Sequence, residues 1–344
     1  MAKTLTPSLI TAASPVINAL AALIQLRVNE IETLIDNACC GNPEAVHDMR
    51  VSCRRLQAIV RIFKAYFHKK HLKKTKFVLS GLISVLGEVR ECDVLIEHIA
   101  AGTAPVPQHS EVAYSLLLGR IIAQRRTVLH NLTTLIHDTL YMEQLSNYAR
   151  NIQQTLVSPK KQPQYLGDFL RKTIPALFDE FVTAGNLVVC HPLQKNALHK
   201  LRIQGKPIRY CMECAEYCFG TDFKACYREV KSVISLMGDI HDNDIALDTL
   251  KSWLREIRDF NRSAQSSGQK TCIHTGFLSN AISIGSHLRK EQFGRLETIF
   301  NQWQSEQFAT KLVAAMVSMP YEHDARAFHR KEPLICQRLL PPST

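Results

Sequence analysis

The sequence predicts an all-α protein made of two duplicated helical halves, and two observations carry that prediction. Apolar residues recur at three- and four-residue spacing through nearly all 344 residues, with little period-two alternation. A basic signature also occurs twice. His47-Asp48-Met49-Arg50 runs on through Arg54, Arg55 and Arg61, and His199-Lys200-Leu201-Arg202 runs on through Lys206 and Arg209, with the second His 152 residues after the first. A separation close to half the chain points to a repeated unit.

The first helix is expected over Pro15–Asn37, with Ser14 as N-cap, Pro15 in the first turn and Gly41 beyond the end. Ala45–Tyr66, His71–Leu86, Cys92–Ala100, Glu111–His137 and Thr139–Leu156 complete the first half. Proline marks loops at Thr103-Ala104-Pro105-Val106-Pro107 and at Ser158–Pro163. The second loop divides the chain into a unit over 1–160 and a unit over 161–344. In the second unit helices are expected over Tyr165–Ala184, Pro192–Cys218, Asp222–Met237, Asp242–Asn261, Thr275–Gln304 and Glu306–Met319, followed by a basic, less regular tail from Tyr321.

A further matched element supports the duplication. Leu86-Gly87-Glu88-Val89-Arg90-Glu91-Cys92-Asp93 parallels Met237-Gly238-Asp239-Ile240-His241-Asp242-Asn243-Asp244. Gly87 stands 40 residues after His47, and Gly238 stands 39 after His199.

On a helix each residue advances about 100°, so His47, Arg50, Arg54, Gln57 and Arg61 fall within an arc of about 80°. Met49, Cys53, Leu56, Val60 and Phe63 form the opposite, apolar side. His199, Arg202, Lys206 and Arg209 repeat the stripe, with Leu201, Ile208 and Met212 behind it. Like charges three and four apart repel, so such a column implies an anion set against it. Arginine suits phosphate because its planar fork donates two parallel hydrogen bonds. The next helix adds Lys69, Lys73 and Lys76 on one face, and its counterpart carries Lys224, Arg228 and Lys231.

Bulk properties narrow the partner. Lys and Arg number 42 against 31 Asp and Glu, giving a formal charge of +11, a field that attracts phosphate polymers, nucleic acid or anionic lipid. Aromatics are 7% of the chain, which disfavours base stacking as the main device. Eleven cysteines, an odd count at helical spacing in a large chain, suit a reducing cytoplasm better than a disulfide scaffold. No apolar run reaches the length of a bilayer span.

At these residues the sequence resembles the CHAD family, the α-helical domain marked by histidines. The resemblance rests on Val46 to Val51 with Arg54-Arg55-Leu56, Gly87 to Val94, Leu198 to Arg202 with Lys206 to Tyr210, and Gly238 to Asp244. It implies two similar antiparallel helical bundles related by a pseudo-two-fold axis, with basic faces meeting at a central groove that binds inorganic polyphosphate. The contacts it implies are His47, Arg50, Arg54, Arg55, Arg61, His199, Arg202, Lys206 and Arg209, supported by Lys73 and Lys76. A cytoplasmic protein located on polyphosphate granules is expected. The triphosphatase motif Glu-x-Glu-x-Lys, often fused to this family, is absent, so a non-catalytic binding module with no cofactor is expected.

The two copies differ. Gln57 stands where the second copy has Arg209, and Glu213 where the first has Arg61, with Glu213 placed to pair with Arg209 one turn earlier. Pro207 is expected to interrupt the second helix. Asp93 and Asp244 are expected to orient basic residues of the stripes.

Rival readings are a nucleic-acid binder and an HD-type metal phosphohydrolase, the latter from the doublets His47-Asp48, His137-Asp138, His241-Asp242 and His323-Asp324. Adjacent helical residues point about 100° apart, and the cationic stripe opposes a second positive ion. Asp239, Asp242, Asp244 and Asp248 lack the pattern of a calcium loop and read as helix starts and salt bridges. Cys211, Cys214 and Cys218 share one helix face and read as core packing.

Overall fold

Helix α1 (Val16–Cys39) buries Leu20, Leu23, Ile24, Val28 and Ile31 along one side and ends at Gly41, whose φ of +78° is the left-handed conformation that glycine adopts without strain. Ser14 does not cap it. The Ser14 hydroxyl accepts from the Thr11 backbone N–H instead, and Pro15 precedes the first helical residue. The computed structural model describes residues 10–102, 111–138, 141–143, 146–147, 152–159, 163–269 and 272–317.

Helix α2 (Pro43–Ile62) opens with Asn42 accepting from the Ala45 N–H at 3.0 Å and with proline in its first turn. A short 3₁₀ turn over Lys64–Tyr66 leads into α3 (Lys69–Gly102), and α4 (Glu111–His137) follows. The one-turn helix α5 (Ile152–Thr155) precedes the join. The second half has α6 (Leu166–Val189), α7 (Lys195–Ala215), α8 (Thr221–Ser266), α9 (Gly276–Ser305) and α10 (Phe308–Val317).

Two expected breaks are absent. The helices expected over His71–Leu86 and Cys92–Ala100 are one 34-residue helix, and those over Asp222–Met237 and Asp242–Asn261 are one 46-residue helix. Glycine lowers helix stability by about 1 kcal/mol, which the buried Leu86, Val89 and Cys92 in α3 and Met237, Ile240 and Leu247 in α8 offset by continuing the apolar side through the motif. Nor does Pro207 interrupt α7. One backbone donor is lost, but Ile208, Cys211 and Met212 just beyond it are fully buried, and the helix is held between α2, α6 and α8. The proline loop at 103–107, residues 160–162 of the expected join, the basic tail from Tyr321 and the His323-Asp324 doublet lie outside the described residues.

In the first half α1 packs on α2, α2 on α3, α3 on α4, and α4 returns to α1. In the second, α6, α7, α8 and α9 repeat that circuit, and α10 covers α6 and α8. The bundles meet chiefly through α1 with α6, α2 with α7, and α3 with α8, so the main helix contacts across the seam join equivalent helices. That is the signature of a pseudo-two-fold axis. One core runs through both halves, and backbone bonds from Val16 to Gln164 and from Leu166 to Ser14 tie the first helix to the join.

Candidate functional site

The apolar sides of α2 and α7 decide where the basic stripes point. Met49, Cys53, Leu56, Val60 and Phe63 are at most 1% exposed, as are Leu201, Ile208 and Met212. The opposite faces are thereby turned outward along the seam. Arg50 then lies across Gly87 of α3, its Nε 3.8 Å from the point a Cβ would occupy, and Arg202 lies across Gly238 of α8 at 4.0 Å. The two matched motifs, forty residues apart in sequence, are one construction in space, repeated.

Beyond these crossings the two stripes converge. Arg50, Arg54, Arg202 and Lys206 are mutual electrostatic neighbours, and Glu91 faces Asp242. Arg50 matches Arg202, Arg54 matches Lys206 and Glu91 matches Asp242 in the duplication, so the axis runs between the members of each pair.

This gathering raises the cost of charge. Burial, then the neighbouring Arg202, Arg54 and Arg50, push the Lys206 ammonium down to about 7. Burial, and after it Arg50, lowers the proton affinity of Arg54; Arg202 is lowered chiefly by burial. His47 is lowered by desolvation and by Arg90, and His241 by desolvation and by Arg202. Burial lifts the Glu91 carboxyl, with Glu88 and Asp242 adding to the rise and Arg50 opposing it. The Nε atoms of Arg50 and Arg209 are buried without a hydrogen-bond partner among the described residues. None of Arg50, Arg54, Arg202 and Lys206 has an ion-pair partner there either.

Elsewhere the chain matches its buried cations closely. Arg27, 5% exposed, meets Glu30 at 2.7 Å, and the Ser52 hydroxyl donates to the same carboxylate at 2.9 Å. Glu213 meets Arg55 at 2.6 Å and Arg27 at 3.6 Å, across the seam between the halves. The expected Glu213–Arg209 pair is therefore replaced by one with the other half, and Arg55 is engaged in joining the bundles. Arg209 instead lies over the Tyr210 ring at 5.8 Å.

Asp93 and Asp244 are not directed at the stripes. Asp93, 4% exposed, accepts from Arg125 of α4 at 2.5 Å, and Asp244, 6% exposed, accepts from Arg289 of α9 at 2.7 Å. Arg125 also donates to the Gly41 carbonyl at 2.8 Å. The matched acids pin α4 to α3 in the first half and α9 to α8 in the second.

Lys195 meets Asp248 at 2.7 Å and Asp244 at 3.6 Å, so these acids form salt bridges. Among the described residues no three His, Cys, Asp or Glu side chains are grouped to hold a metal. Asp138 accepts from the Tyr141 N–H, His199 stands against His241 at 4.8 Å, and burial pushes the Cys214 and Cys218 thiols up to about 12.

His47 and His199 are exposed beside the cluster. Arg61 lines a cleft with Thr173, Glu180, Gln204 and Pro207, while Lys73 and Lys76 are exposed on α3. Sequence reasoning did not assign Arg90, His241, Glu91 or Asp242 to the groove, and weighed the His241-Asp242 doublet only for metal chemistry. All four stand at aligned positions, three and four residues after the matched glycines, on the helix faces that border the groove. Arg90 also holds Glu97 through two hydrogen bonds, at 2.9 and 3.2 Å.

The fold is similar to that of PptA from Streptomyces chartreusis, with a TM-score of 0.60 and 14% identity over 85% of this chain and 100% of that one. It is also similar to the CHAD domain from the plant Ricinus communis, with a TM-score of 0.57 and 16% identity over 93% of this chain and 96% of that one. No curated protein matches the sequence. The CHAD domain model matches residues 19–251, more than half of the chain, and the protein belongs to the CHAD family.

Proposed function

We propose that this protein is a non-catalytic binder of inorganic polyphosphate, held in the groove between its halves. One observation carries the reading: Arg50, Arg54, Arg202 and Lys206 converge from both bundles without an ion-pair partner among the described residues, whereas Arg27, Arg55, Arg125 and Arg289 each meet a carboxylate. Holding four cations together costs free energy that a polyanion returns. A linear phosphate chain offers charge at every unit and no bases to read, matching a site of guanidinium and ammonium donors with few aromatic groups. Family membership supports the same ligand. The cellular setting that follows is the polyphosphate granule in the cytoplasm.

The test is direct binding of labelled polyphosphate to the full chain and to Arg50→Glu/Arg202→Glu, with RNA and DNA as competitors at matched phosphate concentration. Loss of binding with helical content retained supports the groove. Retained affinity in the double variant, or displacement by nucleic acid at equal phosphate, overturns the reading. Fluorescent tagging checks the granule location, and bound metal with phosphatase turnover in protein purified without chelator would refute the non-catalytic part.

A further inference from the structure

The two walls of the groove continue differently beyond the central cluster. In the first half, Lys76, Lys69, Ser80 and Lys73 lie within about 40° of the side of α3 that carries Gly87, and all are exposed. Because α2 and α3 are antiparallel and Arg50 crosses Gly87, Arg61, eleven residues after Arg50, comes level with Lys76, eleven before Gly87. Eleven residues carry this pair about 16 Å from the crossing. Lys64 and Lys73 follow, both exposed. The exposed side of α3 thus leads outward from the cluster with lysines along it, and Arg61 stands at the end of α2, where it also lines the cleft toward α6 and α7.

The matching side of α7 and α8 is less basic, although Lys224 stands where the first half has Lys73 and Lys231 where it has Ser80. Where the first half has Arg61, the second has Glu213, already engaged by Arg55. Where the first has Lys76, the second has Tyr227, 5% exposed, with Lys231 folded over its ring at 5.9 Å. In the other direction along α3 and α8 stand Glu91 and Asp242, one turn past the glycines, with Glu88 beside them. A negative chain meets carboxylates that way, and in the second half it meets Glu213 and the covered Tyr227 where the first half offers cations.

Building on the polyphosphate reading, we infer that the bound chain leaves the central cluster in one direction only, along the first half past Arg61, Lys76 and Lys73. The protein therefore distinguishes long phosphate chains from short ones. A short chain fills the cluster alone, whereas a long one also gains the lysine track.

The experiment measures binding of inorganic tripolyphosphate and of long-chain polyphosphate to the full protein, to Lys73→Glu/Lys76→Glu, and to Lys224→Glu/Lys231→Glu. The first variant is expected to lose about tenfold or more in affinity for the long chain while tripolyphosphate changes by no more than about twofold. The second variant is expected to leave both within about twofold. Circular dichroism confirms the fold of each, since the reversed charges at Lys73 and Lys76 are in solvent. An unchanged long-chain affinity in the first variant, or an equal loss in the second, overturns the one-sided track while leaving the central site standing. Failure of the unaltered protein to bind either phosphate chain overturns the polyphosphate reading and the track with it.

Discussion

Arg50 rests across Gly87 at ordinary contact distance, and the open side of that glycine is what lets the guanidinium reach the pseudo-two-fold axis. A methyl group fits at 3.8 Å, so Gly87→Ala should raise stability by about 0.5–1 kcal/mol through helix propensity and leave binding intact. Gly87→Leu should displace Arg50 and weaken polyphosphate binding without unfolding the protein. Thermal denaturation and a binding isotherm on both variants check the contrast; equal binding by the two would contradict it.

Asp93 and Asp244 should matter for stability instead of affinity. Asp93→Asn leaves Arg125 without its carboxylate in a buried setting, a change that costs about 3–5 kcal/mol in fully buried pairs, and less here because Arg125 is 18% exposed. Asp244→Asn should do the same through Arg289, 15% exposed. Denaturant midpoints should fall while the folded fraction keeps its affinity. A weakened affinity at full stability would return these acids to the binding surface.

Lys206 should make binding take up protons. With its pKa near 7 in the empty groove against an ordinary 10.5, the unfolded chain binds more protons than the folded one across that window. Stability therefore rises with pH between those values. A polyanion beside Lys206 restores its proton, so affinity should fall as pH climbs above about 7. Calorimetry at about pH 8, in two buffers of different ionisation enthalpy, should show uptake approaching one proton in the unaltered protein and little in Lys206→Met. His47 and His241 are both lowered in the empty groove, so Lys206→Met separates the lysine's share of the uptake from theirs.

Salt should weaken binding steeply. If a short chain engages the four central cations, the logarithm of affinity should fall against the logarithm of salt with a slope of about −3. Arg202→Gln should reduce that slope by about one unit. A flat salt response would mean that counterion release does not drive association.

Much of this was legible in the sequence because it depends on periodicity. The stripes, their apolar backs and the pairing of each His/Arg helix with a glycine motif are local patterns repeated at one interval. What escaped depends on neighbours distant in sequence. The partner of Asp93 is 32 residues on and that of Asp244 is 45 on, with no local pattern to announce either. Helical arithmetic pairs Glu213 with Arg209, whereas the packing of α2 on α7 delivers Arg55. Pro207 and the two central glycines signal breaks by intrinsic preference, and burial on both sides of each overrides them. Glu91 carries no local pattern of its own, and its approach to Asp242 exists only once the two halves are brought face to face.

The Arg27–Glu213–Arg55 junction fixes the two bundles on one another at the seam, with all three side chains largely withdrawn from solvent. The width of the receptor is thus settled before any ligand arrives. The loss of conformational freedom on association then falls almost wholly on the flexible polymer, and each further phosphate must repay its own ordering. Tight capture comes from the number of units engaged at once, so release can proceed stepwise, one phosphate at a time, from a receptor that does not itself have to move.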